Sequence, residues 1–198
     1  MTIDLFLALL LFAFVSSITP GPNNTMVLAS GVNFGVRRSI PHMLGIGCGF
    51  TLMVAIVGLG LGRIFVAYPT IYTAMKIAGG AYMLWLAWKI THAGPMGEAK
   101  TAGTPMTFIQ AALFQWVNPK GWVMAITANA TYSMVGQPVL SAFIVAGAFA
   151  MMSVPSNLTW VVFGSLLRKI LSDAKTLRIF NVTMAVLLVL SLAPLLWH

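Results

Sequence analysis

Apolar residues fill six long runs of this chain, and short polar or glycine-containing stretches separate them. The runs cover about residues 3–33, 40–61, 69–88, 108–132, 138–167 and 177–197. Because a helix needs about 20 residues to cross the hydrocarbon core of a bilayer, the pattern predicts an all-α polytopic membrane protein with about six transmembrane helices. The only long polar stretch, residues 93–105, divides this single transmembrane domain into halves of about 1–92 and 106–198.

Prolines interrupt the first and fourth runs. The first interruption reads Thr19-Pro20-Gly21-Pro22-Asn23-Asn24, and the second reads Asn118-Pro119-Lys120. Proline removes a backbone donor and clashes with the preceding turn, so each helix must open there. Shifting the chain by about half its length of 198 residues lays Pro20 on Pro119. With three spans in each half, the halves enter the membrane from opposite sides, which predicts a 3+3 inverted repeat with broken helices one and four.

Opened backbone inside a bilayer is tolerated only where protein buries it or where it lines a cavity. Paired interruptions in the two halves therefore indicate a transporter's binding site. Pro20 and Pro22 free backbone carbonyls, and Asn23 and Asn24 are placed to cap the half-helix that follows. Unpaired amides at a half-helix N-terminus suit a carboxylate. The alternative is a kinked helix whose polar groups only satisfy one another.

Lys120 adds a charge to the second interruption. A charged side chain at the bilayer centre costs about 2.5 to 3.5 kcal/mol on insertion scales and should have a partner. The three acids lie near span ends or in loops: Asp4, Glu98 and Asp173. The expected partner of Lys120 is therefore a freed carbonyl or an anionic group of the substrate. Lys76 lies within the third run, and for both lysines the alternative is a side chain that snorkels to the interface.

Other polar residues within the runs either line a path or bond helices to one another. They are Gln110, Gln115, Asn129, Ser153, Ser156, Asn157 and Asn181. Of these, Gln115 is included among the candidate substrate-binding residues. His42 could relay a proton near neutral pH, but its place at the start of the second run favours an interfacial polar residue.

Composition supports a lipid-solvated chain, because 59% of the residues are hydrophobic and only 7% are charged. The net charge of +8 reflects topology rather than nucleic-acid binding, since no basic stripe lies on a polar face. Most basic residues of the loops fall on one side of the predicted membrane, and the loops of the opposite side have only Arg63. This asymmetry places the linker in the cytoplasm and both termini in the periplasm. Walker, HExxH and GxSxG motifs, metal-ligand clusters and paired cysteines are absent from the sequence. We therefore predict neither an enzyme nor a cofactor.

The interruptions and their neighbours resemble the LysE/RhtB family of amino-acid exporters. The resemblance rests on residues 18–24, Gly31 to Ser39, Gly45 and Gly49, residues 79–87 and Gln115 to Lys120. It implies a bacterial inner-membrane secondary transporter, driven by a proton or sodium gradient. It also implies that Pro20, Gly21 and Pro22, together with Asn118, Pro119 and Lys120, frame the site.

Family substrates include lysine, arginine, threonine, homoserine, leucine, cysteine and O-acetylserine. A cationic substrate would want an acidic partner at mid-depth, so we predict a neutral amino acid of the cysteine/O-acetylserine, threonine/homoserine or leucine type. Its ammonium would meet freed carbonyls. A proton carrier needs a titratable group, and His42 is a poor candidate by its position in the sequence. An accessory subunit and a passive channel stay open as alternatives, and the glycine-rich faces of spans two and three could serve a homodimer or the internal bundle.

Overall fold

The computed structural model describes residues 1–61, 68–92, 104–171 and 173–191. These residues form seven helices and no strand. The helices are α1 (Ile3–Ile18), α2 (Pro22–Ile56), α3 (Pro69–Thr91), α4 (Phe108–Phe114), α5 (Pro119–Tyr132), α6 (Pro138–Ile170) and α7 (Ala174–Leu190). A π turn (Val57–Leu61) extends α2, and a 3-10 turn (Gln115–Val117) extends α4. Most of the predicted linker, residues 93–103, lies outside the described residues.

α2 is a hairpin and not a straight helix. Gly35 has a φ of 76°, a left-handed conformation that glycine adopts without steric cost. The hydroxyl oxygens of Ser30 and Ser39 lie 2.7 Å apart, whereas a continuous helix would separate two such positions by about 13 Å along its axis. The chain therefore folds back at Gly35 into a first arm (22–34) and a second arm (36–56). This reversal falls between the first two runs of the sequence.

α6 packs against both arms of α2. A Cβ placed on Gly164 would lie 2.3 Å from the carbonyl oxygen of Leu28, and one on Gly31 would lie 2.4 Å from that of Val161. The two backbones touch there, so neither position has room for a side chain. The second arm meets the earlier part of α6, where the Asn157 amide donates to the Met43 carbonyl at 3.5 Å.

Glycines in the second arm bring α4 into contact with α2. A Cβ on Gly45 would lie 2.3 Å from the Phe108 carbonyl oxygen, and one on Gly49 would lie 2.5 Å from the Cα of Ala112. In α3, a Cβ on Gly79 would lie 2.6 Å from the Val117 carbonyl oxygen. These three glycines therefore serve packing inside the bundle.

The outer surface of the described bundle is apolar. Exposed side chains include Leu11, Ile77, Phe143 and Leu166, each more than half exposed. Two helical stretches, Pro22–Leu61 and Pro138–Arg168, are long and apolar enough to cross a membrane. The first of them contains the reversal at Gly35. Such a surface is suited to contact with lipid chains.

Basic side chains gather at the end of the bundle that carries the Gly35 turn. The Arg38 guanidinium lies 5.4 Å from the centre of the Phe34 ring, and the side chain of Arg168 in α6 approaches Gly35. Lys89, near the end of α3, lines a cavity together with Phe34. The structure therefore brings together three of the basic segments that the sequence assigned to one side of the membrane.

Candidate functional site

The two proline interruptions meet in the structure. α1 ends at Ile18 and α2 begins at Pro22, while the 3-10 turn ends at Val117 and α5 begins at Pro119. The Lys120 ammonium donates to the Thr19 carbonyl, to the Thr19 hydroxyl at 2.9 Å and to the Pro20 carbonyl at 3.5 Å. Of the two partners that the sequence allowed for Lys120, the freed carbonyls are the ones this structure contains.

Side chains from three helices satisfy the carbonyls that the first interruption leaves without helical partners. The Asn24 amide donates to the carbonyls of Ser17 at 2.8 Å and Thr19 at 2.7 Å. The indole of Trp160, in α6, donates to the carbonyl of Ile18 at 3.1 Å. Together with Lys120, these donors close the C-terminal end of α1, as a bilayer interior demands of exposed backbone.

The capping role predicted for Asn23 and Asn24 is wrong. The N-cap of α2 is Gly21, and no side chain forms a capping hydrogen bond there. Pro22 occupies the first helical position and has no N–H, so that end has fewer amides to satisfy. The Asn24 amide donates instead to carbonyls at the end of α1.

Asn23 forms a reciprocal amide pair with Gln115. Its Nδ2 donates to Gln115 Oε1 at 2.8 Å, and Gln115 Nε2 donates back to Asn23 Oδ1 at 3.1 Å. Gln115 is fully buried, and its Nε2 also donates to the carbonyl of Ala111 at 2.9 Å. The pair joins the first interruption to the second.

Gly21 makes room for Lys120. A Cβ on Gly21 would lie 2.6 Å from Cδ of Lys120. A residue with a side chain would therefore push the lysine stem away from the Thr19 carbonyl. Pro20 supplies a carbonyl to Lys120, and Pro119 begins α5, so the structure gives both prolines a backbone role.

A cavity of about 40 Å³ lies between the two interruptions and α6. Polar residues line it, among them Asn23, Asn24, Asn118, Lys120, Ser156 and Asn157. This volume holds a few water molecules. The cavity is too small for a molecule much larger than these waters.

Two buried polar atoms of this cavity have no hydrogen-bond partner in the described part of the chain. They are Oδ1 of Asn118 and Oγ of Ser156, whose residues are 2% and 1% exposed. Leaving a buried acceptor unpaired costs about 1–3 kcal/mol, so such atoms need an explanation. Across the cavity, Lys120 and Gly121 lie in the first turn of α5, where backbone amides lack helical partners. The cavity thus offers acceptors and donors together.

Lys76 is not shown at the site, because its side chain lies outside the described residues. Its helix does reach the second interruption, since Gly79 packs against Val117 directly before Asn118. Ser156 and Asn157 were only two of several polar positions in the sequence. No local signal separated them from residues that bond helices together, because their place in the cavity depends on how α6 crosses the hairpin.

His42 does not lie at the interface predicted from the sequence. It is 1% exposed and lines a second cavity of about 160 Å³. The hairpin explains the difference, because the reversal at Gly35 lays the first arm over this face of the second arm.

Comparison with known proteins gives one family and a set of close relatives. The family described as LysE type translocator matches residues 14–196. The cysteine/O-acetylserine efflux proteins of Escherichia coli strain K12, E. coli O9:H4 strain HS and Shigella sonnei strain Ss046 are each 31% identical to the chain over 191 residues. The alignments cover 96% of this chain and 96% of each relative. No solved structure matches the chain significantly.

Proposed function

The chain belongs to the LysE type translocator family, and we propose from this premise that it is a secondary active exporter of a neutral amino acid or close derivative. The family consists of membrane transporters and not of enzymes. We place the protein in the bacterial inner membrane, with about six spans in two inverted halves of residues 1–92 and 106–198. In this proposal the linker, residues 93–105, is cytoplasmic and both termini are periplasmic.

The unpaired acceptors in the cavity between the interruptions carry the proposal. An amino acid is a zwitterion, and its ammonium needs acceptors such as Asn118 Oδ1 and Ser156 Oγ. Its carboxylate suits the free amides at the start of α5 and the nearby Lys120 ammonium. The freed carbonyls at the end of α1, which the sequence suggested for the ammonium, already have donors.

The lining also supports a neutral substrate. Among the described residues that line the cavity there is no carboxylate to pair with a cationic side chain. The relatives named above are efflux proteins for cysteine and O-acetylserine. We therefore propose a small neutral substrate of that type. Threonine, homoserine and leucine are the competing substrates.

Transport would proceed by alternating access around the two interruptions. The cavity must widen toward one side and then toward the other, while the substrate stays between α5 and α6. The end of α1 is bonded to side chains of α5 and α6 through Lys120 and Trp160. Movement between the halves therefore has to rearrange these contacts.

Counterflow in proteoliposomes that contain only this protein tests the proposal. Vesicles loaded with an unlabelled amino acid are diluted into a solution of the same amino acid in labelled form. Cysteine, O-acetylserine, threonine, homoserine and leucine are tested in turn. We expect saturable exchange of cysteine or O-acetylserine. Flux that does not saturate would indicate a passive channel, and no exchange by correctly inserted protein would favour an accessory subunit.

A further inference from the structure

A histidine without a hydrogen-bond partner lies inside the α2 hairpin. His42, on the second arm, is 1% exposed, and neither Nδ1 nor Nε2 has a partner in the part of the chain that the structure describes. Buried polar atoms are almost always hydrogen-bonded to protein or to water. The two ring nitrogens therefore need hydrogen-bond partners other than the described side chains and backbone.

The imidazole lines a cavity of about 160 Å³, which can hold several water molecules. Ser30 and Asn33 of the first arm line the same cavity. The Ser39 hydroxyl donates to the Gly35 carbonyl at 2.8 Å, so Ser30 is the donor in its contact with Ser39. The Ser30 oxygen keeps a lone pair that can accept a hydrogen bond in this cavity.

This cavity and the one between the interruptions lie one helical turn apart along the hairpin. On the first arm, Met26 lines the His42 cavity and Asn23 lines the other. On the second arm, His42 lines the first of these cavities and Ile46 lines the cavity between the interruptions. Residues three or four apart are neighbours on a helix face. A change of charge at His42 would therefore act one turn away from the proposed substrate site.

The charged groups around His42 are cationic in the described part of the chain. They are Lys89 of α3, which lines the cavity, Arg38, which stacks on Phe34 at its rim, and Arg168 of α6, which approaches Gly35. His92, directly after α3, also lines the cavity. α7 contributes the neutral Asn181, which bonds to Asn33, and the segment before α4 contributes Thr104, Pro105 and Met106. No described carboxylate lines the cavity, so an imidazolium there has water and neutral acceptors but no fixed counter-ion. Such a group gives up its proton again and does not hold it permanently.

We propose that His42 carries the coupling proton of the transport cycle. The inference rests on the export function proposed above. An N–H bond forms between the ring and a proton from water when the cavity opens to one side, and it breaks when the cavity opens to the other. One proton would enter the cell for each amino acid that leaves. Histidine suits this role because its ordinary charge change lies nearer neutral pH than that of any other side chain, whereas the Lys120 ammonium is held by Thr19 and Pro20.

The test measures proton movement and substrate movement in the same proteoliposomes. Vesicles contain the pH dye pyranine, and labelled cysteine is added outside under reducing conditions. For the wild type we expect the interior to become alkaline as cysteine enters, and we expect an acidic interior to drive cysteine accumulation. For His42→Gln we expect counterflow within about twofold of wild type. We expect its alkalinisation and its gradient-driven accumulation to fall about tenfold or more.

The matched control is His92→Gln, since His92 lines the same cavity but is exposed and bonded to the Trp88 carbonyl at 2.8 Å. The His92→Gln variant should show the same alkalinisation and gradient-driven accumulation as the wild type. Alkalinisation by His42→Gln at the wild-type level overturns the inference. If His42→Gln loses counterflow as well, the His42→Asn variant is measured instead. Counterflow by His42→Asn without a pH change supports the inference. Loss of both counterflow and the pH change by normally inserted His42→Asn overturns it. If the wild type exchanges cysteine without any pH change, the role of His42 is refuted but the export function is not. If the wild type exchanges no amino acid, the export function itself is refuted.

Discussion

Lys120 and Thr19 are 101 residues apart in the chain, and the lysine ammonium bonds to both the carbonyl and the hydroxyl of the threonine. The contact pairs the cation of the second interruption with the backbone that the first interruption exposes. The negative end of α1 thus takes the place of a carboxylate as the partner of an intramembrane lysine. This arrangement lets a chain with three acids keep a charge at the centre of its fold.

Replacing Lys120 with alanine should abolish transport and leave insertion intact. The Thr19 carbonyl keeps its bond from Asn24, so the fold loses little, while the substrate carboxylate loses its cation. We expect counterflow to fall about tenfold or more, since hydrogen bonds to charged groups contribute about 1.5–3 kcal/mol. The control is Lys175→Ala, because Lys175 is an exposed lysine in the first turn of α7. Normal counterflow by Lys120→Ala would remove Lys120 from the site.

Replacing Ser156 with alanine should weaken substrate binding without weakening the fold. Its hydroxyl has no partner among the described residues, so its loss removes no protein–protein hydrogen bond and should leave the thermal unfolding temperature unchanged or higher. The loss of an acceptor for the substrate ammonium should raise the counterflow KM about fivefold to tenfold.

Thr159→Ala provides the comparison for Ser156→Ala, because Thr159 lies on the exposed face of α6 and its hydroxyl donates to the Pro155 carbonyl of the same helix. Its KM should match that of the wild type. An unchanged KM in Ser156→Ala would show that the Ser156 hydroxyl does not face the substrate.

The amide pair between Asn23 and Gln115 should appear as a coupling energy. We suggest a double-mutant cycle with Asn23→Leu and Gln115→Leu, measured by unfolding in mixed detergent. Each single variant removes both hydrogen bonds of the pair and leaves the remaining amide without its Asn23–Gln115 partner, while the double variant leaves neither amide of the pair. We expect a coupling of about 1 kcal/mol, in line with side-chain hydrogen bonds in membrane proteins. Additive effects would show that the two interruptions are not joined through this pair.

Glycines on α6 should differ sharply in their tolerance of a methyl group. Gly164→Ala forces a Cβ to 2.3 Å from the Leu28 carbonyl oxygen, whereas a Cβ on Gly147 meets no atom within 4 Å. We expect Gly164→Ala to destabilise the fold by about 1–3 kcal/mol, as overpacking does. Gly147→Ala should be neutral or stabilising. Equal unfolding midpoints for the two variants would contradict the close crossing of α6 and the first arm.

Much of the backbone could be predicted from the sequence, because proline acts locally. Both interruptions fall where Pro20, Pro22 and Pro119 require them, and the first run ends close to the reversal at Gly35. The carbonyl partners of Lys120 followed from the scarcity of acids. These inferences need only the chemistry of a residue and its immediate neighbours.

Predictions that depend on packing fared less well. Asn24 could bond forward to the start of α2 or back to the end of α1, and only the three-dimensional arrangement selects the second. The hydrogen bond from Trp160 to Ile18 joins residues 142 apart in the chain, and no local sequence pattern predicts it. His42 looked interfacial because it is near the start of a run, but the hairpin encloses it. Side-chain direction across helices is not encoded in spacing along one helix.

The tether from Lys120 to the end of α1 has a consequence for leakage. A bound carboxylate and the Thr19 and Pro20 carbonyls would compete for the same ammonium. Without substrate, Lys120 would keep α5 bonded to α1. A bound substrate carboxylate would weaken that contact by offering Lys120 a better partner. In the transport cycle proposed above, a carrier with this linkage would resist changing sides without its substrate, which would protect the coupling ion gradient from futile cycles.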